Sequence, residues 1–167
     1  MLDPIISLGM KKLPQEHDFS NWIKKINYFF TEEIGAQTSQ VSQYRETFAG
    51  FIAGFHLRNR NLLLVGIDEV LANITEHTYK YDKKKKIGIS VCVDTNHKVL
   101  ILVQDNGVPY NPKEHKAKSP KTQFAKGADG GYGLYLIKRI FYKIDYFSQK
   151  KINTLVLLFD DKRVKNI

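Results

Sequence analysis

The chain has 167 residues, 43% of them hydrophobic and 26% charged, the size and balance of one ordinary folded domain. Its single cysteine, Cys92, excludes an internal disulfide and a cysteine-rich metal centre, and no apolar run approaches the roughly 20 residues that span a bilayer. The formal net charge of +9 comes largely from two local runs, Lys83 to Lys86 and Lys113 to Lys126, without a zinc-finger, helix-turn-helix or RNP-type pattern beside them. They read as solvated faces, and nucleic-acid binding is not expected.

The start of the chain lacks a basic stretch followed by a long apolar core, so no secretory signal is expected and the location read from the sequence is cytoplasmic. Residues 1–22, with two prolines near the start and little sustained periodicity, are expected to form an extension to a domain spanning 23–160, with 161–167 a basic tail. From Ile23 to Glu33 the pattern fits a strand or a short helix, with a strand favoured over its later part before Gly35 breaks it. Polar residues from Gln37 to Gln43 mark a helix start, and Val41, Tyr44, Phe48, Phe51, Ile52 and Phe55 follow at helical spacing.

A second helix is predicted from about Asn61 to Tyr79, with Leu63, Ile67, Val70, Leu71 and Ile74 on one face. Strict alternation at Ile87, Ile89, Val91 and Val93, a turn at Asp94 to His97, and renewed alternation at Val99, Ile101 and Val103 predict a hairpin that runs into Asp105-Asn106-Gly107. Val108 to Asp129 is a long basic stretch of the kind that serves as a lid or stays disordered. Gly130-Gly131-Tyr132-Gly133 opens a third helix, whose buried face is expected to carry Leu134, Ile137, Ile140, Phe141 and Ile144. A closing hairpin is expected from Tyr146 to Ser148 and Thr154 to Phe159, around Lys150 to Asn153. Helices layered on one face of a mostly antiparallel sheet would satisfy this order.

Three segments carry candidate chemistry. Glu69, Asn73 and His77 are spaced by four and line one helical stripe. An amide oxygen there can help hold Mg²⁺, a hard cation that takes few protein ligands, and a carboxylate one turn away can accept a proton from an attacking hydroxyl. Alone, the stripe reads more readily as a polar helix face turned to water. Asp105 at the end of an apolar strand can accept a hydrogen bond from the amine of adenine, with Gly107 permitting close approach to the ring, although Asp-Asn-Gly is also a common turn. Glycines at the start of a helix expose N–H groups to an anion, here without the Walker A or Rossmann spacing.

In order and spacing these segments resemble the N box and the two glycine boxes of the GHKL superfamily, which includes DNA gyrase, histidine kinases and MutL. Asp68-Glu69-Val-Leu-Ala-Asn73-Ile-Thr-Glu76-His77-Thr-Tyr79, Asp105-Asn-Gly-Val-Pro-Tyr-Asn-Pro112 and Gly130-Gly-Tyr-Gly-Leu-Tyr-Leu-Ile137 are most similar to the bacterial RsbW-like anti-sigma-factor serine/threonine kinases. The resemblance covers roughly Ile23 to Phe159. It implies an α+β Bergerat fold, a two-layer α/β sandwich with a mixed, mostly antiparallel sheet and helices on one face.

The resemblance also implies Mg-ATP as cofactor, with Glu69 the catalytic base and Asn73 the metal ligand. Asp105 would bind the adenine amine above Gly107, Gly131 and Gly133 would close on the phosphates, and Thr154 would support Asp105 through water. His77, Pro109, Gly130, Tyr132 and Leu134 would complete the nucleotide contacts, under a lid formed by Val108 to Asp129. Pro109 stands where many GHKL members have glycine, a mark of this subgroup. The implied activity is phosphorylation of a serine on a STAS-domain antagonist, with a sigma factor or similar target as the other partner and a homodimer as the assembly. The alternative is an ATP/ADP-gated binding switch without kinase activity.

Overall fold

A computed structural model describes residues 26–117 and 132–164. Residues 1–25, Gly130, Gly131 and most of the expected lid lie outside the described residues. The alternating apolar segments form β2 (Lys86–Asp94) and β3 (Val99–Asp105), an antiparallel hairpin. β1 (Ile26–Gly35) pairs with β2 and retains Gly35 as its last residue, so the glycine ends the strand without breaking it earlier. β4 (Lys143–Gln149) and β5 (Ile152–Phe159) form the closing hairpin, with β5 against β3. The sheet order is β1-β2-β3-β5-β4, and every described pairing in this sheet, expected to be mixed but mostly antiparallel, is antiparallel.

α1 (Thr38–Ala53), α2 (Arg60–Ala72) and α3 (Gly133–Ile140) bury their apolar stripes on one face of this sheet. Tyr44, Phe48 and Ile52 of α1, Leu63, Ile67 and Leu71 of α2, and Ile137 and Ile140 of α3 pack in one cluster with Ile87, Ile89, Val91, Val99, Ile101, Val103, Leu157 and Phe159. Each such side chain contributes about 1.5–3 kcal/mol when fully buried, so this layer dominates the stability of the α+β sandwich. Gly66 lets α2 and α3 approach closely, because a Cβ there would lie 2.8 Å from the Phe141 ring. At the far end, Asp161 accepts hydrogen bonds from the Arg58 and Asn59 N–H groups, and Val164 packs on the core. The packed body therefore extends past residue 160.

Two departures from the predicted elements bear on function. The long second helix does not continue as an α-helix to Tyr79; from Asn73 to Thr78 it widens into a π-helical turn. The Tyr79 N–H donates to Ile74 O at 2.8 Å, five residues back, and the chain then leaves through Lys80 and Tyr81 at φ 49° and 60°. The third helix ends at Ile140, so Ile144 enters the core from β4 and not from the helix. No glycine or proline marks this stop. Phe141 is already extended and buried, and the Tyr142 N–H bonds to Leu158 O of the sheet.

Candidate functional site

β3 delivers Asp105 to the edge of the core on the helix-bearing side, where pairing with β5 sets Asn153 directly opposite. The buried Asn153 amide donates to Asp105 Oδ1 at 2.8 Å and to Gly107 O at 3.1 Å, while its oxygen accepts from the Tyr146 hydroxyl at 2.9 Å. The Gly107 N–H also donates to Asp105 Oδ1, at 2.8 Å. With two donors, Oδ1 has both lone pairs engaged. Oδ2 takes no hydrogen bond among the described residues, which leaves one acceptor for a ligand. The Tyr110 N–H bonds to the Tyr146 oxygen at 3.1 Å and ties the segment after Gly107 to the same network.

The π-helical turn holds the other side of this loop. The Tyr79 ring is buried, and its hydroxyl accepts from the Asn106 N–H at 2.7 Å while lying within hydrogen-bond reach of Lys86 O and Asn106 Oδ1. Burial raises the Tyr79 pKa, and the charge of Asp105 adds to the effect against the Asn106 hydrogen bond. A Cβ on Gly107 would lie 2.0 Å from Thr78 Cγ2 and 3.2 Å from the Tyr79 ring. Glycine is required here because the turn packs directly on the backbone.

A cavity of about 310 Å³ opens between these elements, close to the lower bound of roughly 300 Å³ for small-molecule pockets. Its walls are mainly apolar, from Val70, Ile74, Val108, Pro109, Leu134, Ile137 and Leu155, with Asn73, His77, Thr78, Asp105 and Tyr146 as polar points. Glu69 stands one helical turn before Asn73, against the start of α3: a Cβ on Gly133 would lie 2.3 Å from Glu69 Oε2 and 3.7 Å from Asn73 Nδ2. Burial raises the Glu69 pKa above the ordinary carboxylate value, and the adjacent Asp68 charge raises it further.

Of the residues singled out in the sequence, Asn73, His77, Asp105, Pro109 and Leu134 line the cavity. Gly107 and Gly133 sit beneath its polar points, with Glu69 against Gly133, while Tyr132 is exposed at the mouth of α3. Gly130 and Gly131 lie outside the described residues. Thr154 is displaced from its expected role. It pairs with Gln104, whose amide donates to its hydroxyl at 3.3 Å on the opposite sheet face, and Asn153 supports Asp105 directly instead of through water. Asn153, Tyr146 and Thr78 are the contributors that sequence reasoning missed. The spacing of Asn153 from Phe159 along a strand that begins at Ile152 was the available signal.

A model of the histidine kinase-like ATPase domain matches residues 34–159, most of the chain. The chain belongs to that family. No curated protein matches it in sequence. Among solved structures it is similar to the RsbU and RsbW domains of a Mycobacterium tuberculosis protein, with a TM-score of 0.54 and 15% identity. That match covers 80% of this chain but only 32% of the other, so the likeness is one of fold. A histidine kinase-like ATPase domain binds ATP, and the site here fits an adenine nucleotide: an apolar slot with one open carboxylate oxygen at its polar end. The donors also suit magnesium, which keeps most of its shell as water and phosphate and needs one oxygen such as that of Asn73. Among the described residues no helix is long and apolar enough to cross a membrane.

Proposed function

We propose that this domain is an ATP-dependent protein-serine kinase and anti-sigma-type regulator, which phosphorylates a STAS-domain antagonist and sequesters a sigma factor or similar target. One observation carries the reading. The only carboxylate on the polar stripe beside Asn73 that packs against the start of α3, Glu69, is half-buried with its proton affinity raised, and the same helix borders the cavity that ends at Asp105.

Bound Mg-ATP would supply the transferable γ-phosphoryl group. Asp105 accepts the base amine through Oδ2. Because Oδ1 is engaged by Gly107 and Asn153, Oδ2 alone is open, which suits the exocyclic amine of adenine better than the side-by-side N–H pair of guanine, which takes both oxygens of a carboxylate. Val108, Pro109, Ile74 and Leu155 exclude water from the ring. Asn73 would offer its amide oxygen to the metal, and Glu69 would take the proton of the attacking serine, a role that a carboxylate with raised proton affinity suits. A homodimer and a cytoplasmic location belong to the same proposal.

Transfer of labelled γ-phosphate to a purified STAS-domain antagonist tests it. Wild type should label a serine, and Glu69→Gln should lose labelling while keeping Mg-ATP binding by calorimetry. A wild-type protein that binds Mg-ATP and labels no such partner would leave only a nucleotide-gated binding switch.

A further inference from the structure

Residues 108–117 begin the stretch whose composition fits a lid, yet the structure fastens them. Asn111 organises a turn: its Oδ1 accepts from the Lys113 N–H at 3.1 Å, its amide donates to Glu114 Oε1 at 2.8 Å, and its carbonyl accepts from the Glu114 N–H at 3.2 Å. Pro112 is buried in this turn and lines the cavity with Val108, Pro109 and Tyr110. The Tyr110 ring stacks on His115, with centroids 4.4 Å apart. Three bonds then hold the turn to the body of the domain. The Tyr110 N–H donates to the Tyr146 oxygen at 3.1 Å, Lys113 Nζ pairs with Asp145 Oδ1 at 2.9 Å, and Lys138 Nζ of α3 donates to His115 O at 2.6 Å.

Strand geometry shows what these ties achieve. β4 is an edge strand, and neighbours along a strand point to opposite faces. Tyr146 is on the cavity face, paired with Leu155, whereas Asp145 is on the other face, paired with Val156 of a second apolar cluster. Between Tyr110 and Lys113 the chain thus passes over the outer edge of β4, and at His115 it is back on the helix side. It forms a strap hooked on the sheet. Asp145 is the post: its side chain is 11% exposed against 52% for Lys113, so the sheet carries the carboxylate and the lysine reaches to it. A carboxylate with so little water around it needs a cation close by. Lys113 supplies the short contact, with Lys143 Nζ 3.9 Å from Oδ2. Lys113 is engaged on the face away from the cavity, and not at the phosphates.

We propose that Asp145 and Lys113 are positioning residues for the nucleotide: their ion pair hooks residues 108–115 over β4 and so fixes Val108, Pro109 and Tyr110 as a preformed wall at the base end of the cavity. The inference rests on the nucleotide site proposed above and adds to it a latch that lies outside the cavity. Val108 is 77% exposed and Tyr110 45%, an apolar rim held in place before any ligand covers it.

Glu114 is the only glutamate after Glu76, so a glutamate-specific protease reports opening of the strap at one bond. In the full chain, wild type should be cut slowly after Glu114 and Lys113→Met about tenfold faster, as local opening requires. The same variant should bind Mg-ATP and Mg-ADP more weakly by one common factor, about fivefold, because the competent wall is populated less. Lys113→Arg should restore both nucleotides. Asp145→Asn should match Lys113→Met, and if it fails to fold, the variants at the exposed Lys113 decide the matter. Unchanged cleavage or unchanged affinity in Lys113→Met overturns the proposal. So does a loss confined to Mg-ATP, which would put Lys113 on the γ-phosphate instead of on Asp145. A wild type that binds neither nucleotide refutes the underlying site, and the role of the strap with it.

Discussion

Replacing Asn153 with alanine separates the observed support of Asp105 from the expected one. The side chain is 2% exposed in its residue environment and makes three hydrogen bonds, one of them to a carboxylate. A bond to a charged acceptor is worth about 1.5–3 kcal/mol net and a neutral one about 0.5–1.5 kcal/mol, and the partners face a cavity that water can enter, so a loss of about 3 kcal/mol is expected. For a domain of this size that lowers Tm by about 6–12 °C. Asp105 would keep only the Gly107 N–H, and the lost orientation should weaken nucleotide binding by about tenfold, or about 1.4 kcal/mol. Thr154→Ala removes one 3.3 Å contact with Gln104 on the other face and should cost about 0.5–1 kcal/mol with no change in nucleotide affinity. Thermal melts and calorimetry with Mg-ATP read both quantities. If the two variants behave alike, or Thr154→Ala is the one that loses nucleotide, the register-based assignment of Asn153 is wrong.

Gly107→Ala should cost about 1–3 kcal/mol through overpacking against Thr78 Cγ2 and weaken nucleotide binding, and Thr78→Ser in the same chain should restore much of both; melts of the single and double variants check this. Gly133→Ala meets only the flexible end of Glu69, so stability should change by less than about 0.5 kcal/mol while phosphotransfer falls because the carboxylate is displaced. Glu69 holds its proton more tightly folded than unfolded, so its stabilising contribution is complete below the unfolded pKa and is lost as pH rises through the folded value. Glu69→Gln should accordingly melt above wild type at neutral pH and converge with it in acid, and the acid limb of wild-type phosphotransfer should lie above the usual carboxylate range. Lys150→Asn with Lys151→Gly, at φ 51° and 64°, should stabilise the β4–β5 hairpin by about 0.5–1 kcal/mol, measured as a rise in urea midpoint without a change in slope.

Periodicity made most of the fold legible. The alternation of β2 and β3 and the apolar stripes of α1 and α2 are strong signals, and all of Leu63, Ile67, Val70, Leu71 and Ile74 are buried. The misses share a cause, which is that backbone conformation was chosen by tertiary contacts against local preference. The expected turn from Lys150 to Asn153 is shorter in the structure: the chain turns through two lysines at positive φ, a conformation lysine seldom adopts, and Asn153 falls inside β5. α3 carries no stop signal, and the bond from the Tyr142 N–H to Leu158 O ends it. The candidate site was legible in that Asn73 and Asp105, singled out for their side-chain chemistry, both line the cavity, and not for Asn153 and Tyr146, which reach it by strand register.

The π-helical turn joins the two ends of the site mechanically. Glu69 lies on the regular part of α2, Asn73 is its junction with the turn, and Thr78 and Tyr79 emerge from the far end onto Gly107 and Asn106. A single continuous element thus touches Glu69, Asn73 and the loop that holds Asp105, the residues proposed as base, metal ligand and adenine acceptor. An α-helical turn over the same residues would keep the tighter spacing of about 3.6 per turn and would not bring the Ile74 carbonyl to the Tyr79 N–H. The wider turn is tied to the loop by the Tyr79 hydroxyl, which accepts from the Asn106 N–H and also lies within reach of Lys86 O. Any movement of the Asp105–Gly107 loop on nucleotide binding must therefore either break that hydrogen bond or carry the end of the helix with it, and Asn73 sits at the point where such a shift would enter α2.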